Sequence, residues 1–546
     1  ELDFATRVSG NLIDVHRRRV YPATVVVRDG RIAEIVEELS GSYSTFLAPG
    51  FVDAHIHIES SMLPPSEFSR LAVVHGTVAT VSDPHEIGNV LGMEGVAWML
   101  ADAREAALKI CFGAPSCVPA TPFDHAGAEL GAAQIDELLR WPGIGYLSEM
   151  MNYPGVIAGR PDVLAKLAVA RRAGVPIDGH APGVRGEDLA AYIAAGITTD
   201  HECVALDEAR EKRDRGMKIL IREGSAARNF DALWPLLVES PESCMLCSDD
   251  RHPNDLVAGH IDDLVRRAIA HGADLFDVWR AASVHPVEHY RLPVGLLRPG
   301  DPADMIEVDS LEMSRVLRTW IDGRLVAENG KSLIRRRTVK PVNRFQTSPK
   351  RAEDFALSAE APRARVIVAQ DQQLTTGEKI ISVTSRDGRV VPDVDRDVLK
   401  IAVVDRYRDA RPAVALINNF GLKHGALATS VSHDSHNIVA VGASDDDLAR
   451  AVNAVIEARG GLAAAGPDGI AVLPLAVAGL MSDTDGYRVA AEYTRLDGIA
   501  KSLGSTLTAP FMTLSFMALL VIPSLKLGPE GLFDVTAFRP VNMWAP

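Results

Sequence analysis

Between residues 49 and 285, short apolar runs alternate with segments whose apolar residues recur at helical spacing. This alternation is typical of the βα units of a parallel sheet. Eight such units in about 235 residues match the size of one closed barrel. We therefore predict an α/β protein centred on a TIM-like (β/α)8 barrel over residues 49–285. Its strand candidates are GFVDAHIH, TVATVSDPH, KICFGAPS, IGYLSEM, VPIDGHAP, ITTDHE, KILIREGS and CMLCSDDRH.

The segments on either side of the barrel have the pattern of short strands and turns. ATVVVRDG and RIAEIVEE meet at Asp29-Gly30, a strong hairpin signal, and VLRTWIDGRLVAENG follows the barrel. We expect residues 1–48 and 286–339 to form one small β-sandwich domain into which the barrel is inserted. A polar, aperiodic stretch at 340–354 is a candidate linker. Mixed strands and helices then predict a C-terminal α+β domain over residues 355–546.

Composition and charge narrow the functional classes. The formal net charge of -15 disfavours binding to a nucleic-acid backbone. The most apolar stretch, FMTLSFMALLVIP, is shorter than the ~20 residues of a membrane span, so we expect it in a core and predict no membrane association. Five scattered cysteines are typical of a reduced, cytoplasmic protein.

Ligand-type residues end several of the predicted strands, and in a barrel these ends meet at one face. His55 and His57 lie two residues apart, so both face inward together with Asp53. Each residue alone has an ordinary structural explanation, but so many buried, unpaired ionisable groups would be costly unless a metal satisfied them. The candidate ligands are His55, His57, Glu149, His180, His201 and Asp249.

Imidazole and carboxylate ligands suit several divalent ions and do not separate them. Six ligands exceed the needs of one four-coordinate ion, so we expect two ions, Mn²⁺ or Fe²⁺ with Zn²⁺ as the alternative, bridged by Glu149. Such a pair lowers the pKa of water to about neutrality and supplies hydroxide. Asp249 is then placed to act as general base and to deliver the proton to the leaving group.

Two other clusters have competing explanations. His57-Ile58-Glu59 with Cys244 and Cys247 superficially matches the motif of zinc deaminases. Ser243 replaces the proline of that motif, and cysteines three apart on a strand face opposite ways, so we reject thiolate ligation. SHDSHN, residues 432–437, is equally well explained as a turn before the strand IVAVG and as an active-site lid.

Several motifs along the chain carry a family resemblance. They are DAHIHIESSM, SDPHEIGNV, SEMMNYPGV, GHAPG, TTDHE, CSDDRHPNDL, SHDSHNIVAVG and MALLVIPSLKL, together with RPGDPADMIEVD after the barrel. This set of motifs resembles the adenine deaminases of the amidohydrolase superfamily, and the resemblance covers nearly the whole chain. Many members of that superfamily use a carbamylated lysine on the fourth strand, where this chain has Glu149.

The resemblance implies a reaction and a set of roles. The six ligands would hold a two-metal centre that hydrolyses adenine, a small-molecule purine base, to hypoxanthine and ammonia. His85 and Glu86 are candidates for contacting the purine or its ring nitrogen, and Arg251 and His252 for the wall of the site. A polar strand-to-helix turn remains the alternative for the first pair, and an ion pair with Asp250 for Arg251. Glu59 has no assigned role.

Two other functions stay open at this point. The same centre fits a cyclic amide or another aminated heterocycle, because hydroxide attacks either carbon. A catalytically silent metal-binding scaffold is disfavoured by Asp249, since such a scaffold needs no proton shuttle. We also expect a homo-oligomer, with a dimer as the first expectation.

Overall fold

A computed structural model of the chain describes residues 5–545, in which one eight-stranded sheet is assembled from both sides of the barrel. Its strand order is β16-β15-β14-β13-β4-β1-β2-β3, so β4 pairs with β13 across the whole insertion. The strands are β1 (Thr6–Asp14), β2 (Arg19–Arg28), β3 (Arg31–Glu37), β4 (Phe46–Pro49), β13 (Met305–Val308), β14 (Val316–Ile321), β15 (Arg324–Glu328) and β16 (Lys331–Ser332).

This sheet curves so that its two halves are in contact with each other. The β2–β3 hairpin bonds to the residues before β13, with Ile32 N donating to Asp301 O at 2.9 Å and Ala303 N to Gly30 O at 2.8 Å. The two halves enclose a shared apolar core that includes Trp320. Gly30 has φ +76°, and a Cβ there would lie 2.9 Å from a backbone oxygen, so the turn requires glycine.

Eight parallel strands form the predicted barrel, in arcs of five and three strands. Thr198 N donates to Ile177 O at 3.0 Å between the two arcs. At the other seam, Asp249 N donates to His55 O at 2.9 Å and His57 N to Asp249 O at 3.1 Å. The predicted fold class is confirmed. The strands are β5 (Phe51–Ile56), β6 (Thr77–Ser82), β7 (Lys109–Ala114), β8 (Ile144–Met150), β9 (Ile177–Gly179), β10 (Thr199–Asp200), β11 (Lys218–Arg222) and β12 (Cys244–Cys247).

Helices follow most of the barrel strands, and several of them bury one face. Ile261, Leu264, Val265 and Ala268 of α12 have the spacing of one helical face, and all four are buried. The helices are α1 (Pro65–Ala72), α2 (His85–Leu91), α3 (Met93–Ala103), α4 (Ala132–Leu138), α5 (Tyr153–Ile157), α6 (Pro161–Ala173), α7 (Gly186–Ala194), α8 (Leu206–Asp214), α9 (Phe230–Leu233), α10 (Leu236–Glu239), α11 (Pro253–Ala258), α12 (Ile261–Ala270), α13 (Leu275–Ala281) and α14 (Val284–Tyr290). Because α14 runs past residue 285, we propose that the barrel ends at Tyr290.

The last domain is a nine-stranded mixed sheet with helices packed on it. Leu448, Val452 and Val455 of α15 pack in a core with small residues of the central strands. Its elements are β17 (Arg363–Ala369), β18 (Thr376–Ser382), β19 (Ser385–Arg386), β20 (Arg389–Val390), β21 (Leu399–Val404), β22 (Ala413–Asn418), β23 (Ala426–Thr429), β24 (Ile438–Gly442), α15 (Asp445–Glu457), β25 (Gly461–Gly466), β26 (Gly469–Pro474), α16 (Gly486–Ser502), α17 (Pro510–Ser515), β27 (Leu525–Gly528), β28 (Gly531–Asp534), β29 (Arg539–Pro540) and β30 (Trp544–Ala545).

This domain lies against the barrel face at which the strands end. Asn437 Nδ2 donates to His125 O at 2.9 Å, and Gly486 N donates to the Glu67 carboxylate at 2.8 Å. The apolar residues 511–522 are buried, as predicted for a core segment. None of the helices within residues 5–545 has the length and apolar character needed to cross a bilayer.

Candidate metal centre at the mouth of the barrel

The six ligand-type residues predicted from the strand ends lie together, with Glu149 at their centre. One carboxylate oxygen, Oε1, is 3.0 Å from His57 Nε2. The other, Oε2, is 2.9 Å from His180 Nδ1 and 3.1 Å from His201 Nε2. The end of β8 thus carries a carboxylate that faces histidines from the ends of β5, β9 and β10.

Asp249 completes the group on the opposite side. Its Oδ1 is 3.3 Å from His55 Nε2 and 3.2 Å from His57 Nε2. Asp249 follows β12 with φ +56°, a conformation uncommon for a non-glycine residue. Its backbone makes both hydrogen bonds of the β5–β12 seam, so barrel closure fixes this carboxylate beside the two histidines.

The six ligand-type side chains, called the donor set below, have the chemistry and burial of metal ligands. All six side chains are buried. Both ring nitrogens of His55 and the Nε2 atom of His180 have no hydrogen-bond partner within the described part of the chain. Buried polar atoms of this kind are costly unless something binds them. Ligand atoms close enough to share an ion occur in the groups His55/His57/Asp249, His55/Glu149/His201 and His180/His201/Glu202.

Around Glu149, the neighbouring histidines outweigh the usual effect of burial on a carboxyl group. Burial raises the pKa of a carboxyl, but the charge of His201 and the hydrogen bonds of neighbouring histidines hold the pKa of Glu149 well below its usual value. Burial, with the nearby His201, lowers the pKa of His55. The site therefore favours ionised carboxylates and a neutral His55 imidazole, the forms that bind metals.

Two further residues of the site were missed by the sequence analysis. Glu202 Oε1 is 3.3 Å from both His180 Nδ1 and His201 Nε2. Arg222, at the end of β11, donates to Glu202 Oε1 at 2.6 Å and to Asp249 Oδ2 at 2.8 Å. The signal was present, because both residues lie at the ends of barrel strands, and Glu202 directly follows His201 in the motif TTDHE.

His85 and Glu86, predicted as neighbours of the substrate, are separated by the structure. His85 lines the cavity above Glu149, with its Nδ1 2.7 Å from the Asp83 carboxylate and 3.6 Å from Glu149 Oε1. Glu86 lies behind that wall, where it accepts from Ser60 Oγ at 3.0 Å and is 3.2 Å from His433 Nδ1. Of the two, His85 is the residue with access to the cavity.

Glu59, which had no assigned role, accepts a hydrogen bond from Ile87 N at 3.2 Å in the first turn of α2. Glu59 therefore pairs with one of the backbone N–H groups that have no partner within the helix at its N-terminus.

Arg251 and His252 do not line the cavity above the donor set. The Arg251 guanidinium donates to Glu223 O and Asp255 O, each at 3.1 Å. His252 packs edge-on against Tyr493, with ring centroids 4.6 Å apart. Their preceding neighbour Asp250, which had no predicted role of its own, lines the cavity instead.

Residues of the last domain close the cavity from above. Within SHDSHN, His433 and Asp434 line it, which is the position of a lid residue. The remaining cavity has a volume of about 20 Å³. We call these residues of the last domain the roof: Leu374, His433, Asp434, Phe516, Leu519 and Ile522.

Both parts of this site match known families. Residues 46–326 match the Amidohydrolase family, and residues 373–539 match the Adenine deaminase C-terminal domain. Among solved structures, dihydropyrimidinase from Brevibacillus agri is 15% identical with a TM-score of 0.47, over 60% of this chain and 96% of that chain.

Full-length relatives are much closer. The chain is 58% identical to an adenine deaminase of Salinibacter ruber over 537 residues, 98% of each chain. It is 56% identical to an adenine deaminase of a Sulfurovum species over 536 residues, covering 98% of this chain and 99% of the relative. The chain belongs to the adenine deaminase family.

In this member of the family, each of the two matched segments supplies a different part of the site. The amidohydrolase segment contains the six donor residues, and the segment matched to the adenine deaminase C-terminal domain contains the whole roof. The six donor residues thus lie in the segment matched to the Amidohydrolase family, and the wall facing them lies in the segment matched to the Adenine deaminase C-terminal domain.

Proposed function

We propose that this chain hydrolyses adenine to hypoxanthine and ammonia at a centre of two divalent metal ions. The observation that carries the proposal is the convergence of four histidines and two carboxylates in a chain whose full-length relatives are adenine deaminases. A divalent ion lowers the pKa of water and so supplies a hydroxide nucleophile at neutral pH. Mn²⁺ or Fe²⁺ is our first expectation, with Zn²⁺ as the alternative.

We assign the metal ligands from the donor distances. Glu149 is the candidate bridge, because one oxygen faces His57 and the other faces His180 and His201. His55 and Asp249 would complete the set on the side of β5 and β12. Such bridging would use every one of the six donors.

Asp249 is the candidate proton shuttle. Arg222 holds its Oδ2 at 2.8 Å, while Oδ1 remains turned toward the histidines. A carboxylate fixed in this way can take a proton from water and deliver it to the leaving amino group. Arg222, itself bound to Glu202 and Asn229, keeps the carboxylate in that orientation.

His85 is the candidate acid at the purine ring. Burial disfavours its charge, but Asp83 and Asp434 raise the pKa of His85 well above its usual value. A protonated imidazole facing the cavity can stabilise negative charge that develops on a ring nitrogen as C6 is attacked.

The proposal is tested by ammonia release from adenine, adenosine, guanine and cytosine after loading with Mn²⁺, Fe²⁺ or Zn²⁺. We expect turnover of adenine. No turnover with any of the three metals would contradict the proposal, and turnover of another base alone would reassign the substrate.

The variant Asp249→Asn tests the shuttle. We expect kcat to fall by about 10²- to 10⁴-fold, the usual contribution of general acid–base catalysis. Asp188→Asn, at an exposed position of α7, is the matched control and should retain full activity. Metal content is measured on both, so that loss of a ligand is distinguished from loss of the base. Intact activity in Asp249→Asn would refute the mechanism.

A further inference from the structure

The roof consists of four apolar side chains, the imidazole of His433 and the carboxylate of Asp434. Leu374, Phe516, Leu519 and Ile522 present hydrocarbon to the cavity, whereas the barrel side presents histidines and carboxylates. A flat heterocyclic base has the matching character, with apolar faces and polar edges. The cavity of about 20 Å³ holds roughly one water. A base can therefore enter only if roof residues move.

The roof is held in place by contacts within the last domain. His433 N donates to Ser515 O at 2.8 Å, and the His433 ring stacks on Phe516 at 4.3 Å between centroids and 11° between planes. Lys526 Nζ donates to Phe516 O at 3.0 Å and to Leu374 O at 2.6 Å. These contacts fix the position of His433 and therefore also the position of the next residue, Asp434.

Asp434 has one oxygen without a partner. Its Oδ1 is 3.4 Å from His85 Nε2. Its Oδ2 is buried and has no hydrogen-bond partner within residues 5–545, and the side chain is only 4% exposed. A buried carboxylate oxygen in a cavity wall is an acceptor that requires a donor.

We propose that Asp434 accepts a hydrogen bond from the imidazole-ring N–H of the purine substrate, so that the last domain supplies a specificity-determining residue. This inference rests on the proposed function. Neutral adenine has two kinds of N–H donor, the amino group on C6 and one N–H of the five-membered ring. The amino group must lie at the metal donors to be released. The ring N–H is the donor left for a carboxylate in the roof, on the side of His85 away from Glu149.

The opposing explanation is that Asp434 only orients His85. Inhibition constants distinguish the two, since purine, 7-methylpurine and 9-methylpurine lack the leaving group and test binding alone. Methylation at either ring nitrogen removes the N–H donor. We expect wild-type enzyme to bind purine at least about 10-fold more tightly than either methylated compound, because a hydrogen bond to a charged group is lost.

The informative variants are Asp434→Ala and Asp434→Asn. For Asp434→Ala we expect the inhibition constant of purine and the KM of adenine to rise about 10- to 100-fold. The constants for the methylpurines should change less than about threefold. Asp434→Asn, which keeps an uncharged acceptor oxygen, should fall between wild type and alanine. Asp446→Asn, at an exposed position in the same domain, is the matched control and should change nothing.

Each result has a defined consequence. If kcat falls while the purine inhibition constant stays unchanged in both variants, Asp434 acts through His85 and the inference is wrong. Equal losses for purine and the methylpurines would also overturn it. Failure of the proposed function looks different, because wild-type enzyme would then release no ammonia from adenine. Metal content and melting temperature, matched to wild type, show that the variants are folded.

Discussion

Lys526 is a buried amino group whose hydrogen bonds go to two backbone carbonyls of the roof. Burial lowers the pKa of Lys526 to about 7. In the unfolded chain its pKa is 10.5, so between pH 7 and 10.5 the unfolded state binds more protons. The contribution of Lys526 to stability should therefore rise with pH across this window, by up to about 1.4 kcal/mol per pH unit.

The variant Lys526→Met should remove that pH dependence. We expect the free energy of unfolding of wild-type protein to increase more steeply between pH 7.5 and 9.5 than that of the variant, as measured by urea denaturation. Lys331→Met, at an exposed position of β16, is the control and should keep the wild-type slope. Identical slopes for wild type and Lys526→Met would show that the amino group is charged in the folded protein.

At the scale of elements, the pairing of β5 with β12 positions the candidate ligands His55 and Asp249 next to each other. Asp53 ties the two strands together, accepting from Ser248 N at 3.0 Å and facing His260 Nε2 at 2.7 Å. Its neighbours along the strands are His55 and Asp249, on opposite sides of the seam. Asp53 therefore fixes the strands from which His55 and Asp249 reach the candidate metal centre.

Replacing Asp53 by alanine leaves buried donors unpaired on both strands. We expect Asp53→Ala to lose about 3 kcal/mol of unfolding free energy, and Asp53→Asn to lose less, because asparagine keeps an acceptor. Urea denaturation in the presence of a chelator measures this without any contribution from bound metal. Asp188→Ala is the exposed control. A loss below about 0.5 kcal/mol in Asp53→Ala would show that the seam does not depend on this carboxylate.

The elements also show why only part of the site was predictable. The barrel strands are short apolar runs that end in histidines or acids, so the rule that parallel strands end at one face was enough to bring His55 and His201 together. Asp434 offered no such signal. Its position depends on which loop of the last domain packs on the barrel, and that is decided by tertiary contacts such as Asn437 with His125.

At the scale of the whole molecule, the barrel and the last domain meet across the candidate metal centre. His85 of the barrel faces Asp434 of the roof, and Glu86 faces His433. Ions bound to the donors beneath would neutralise several of the buried carboxylates. Metal binding should therefore stabilise the folded protein as a whole.

Metal removal tests this coupling. A ligand that binds only the folded state at a thousand times its Kd stabilises it by about 4 kcal/mol. We expect chelator-treated protein to melt at a lower temperature than metal-loaded protein, and Mn²⁺ or Zn²⁺ to restore the transition. Hydrogen exchange at residues 432–437 should slow on reloading, because these residues lie directly over the donor set. Glu149→Gln, which weakens the central carboxylate, should respond less to both treatments. If metal raised the melting temperature of this variant as much as that of wild type, the ions would be binding elsewhere.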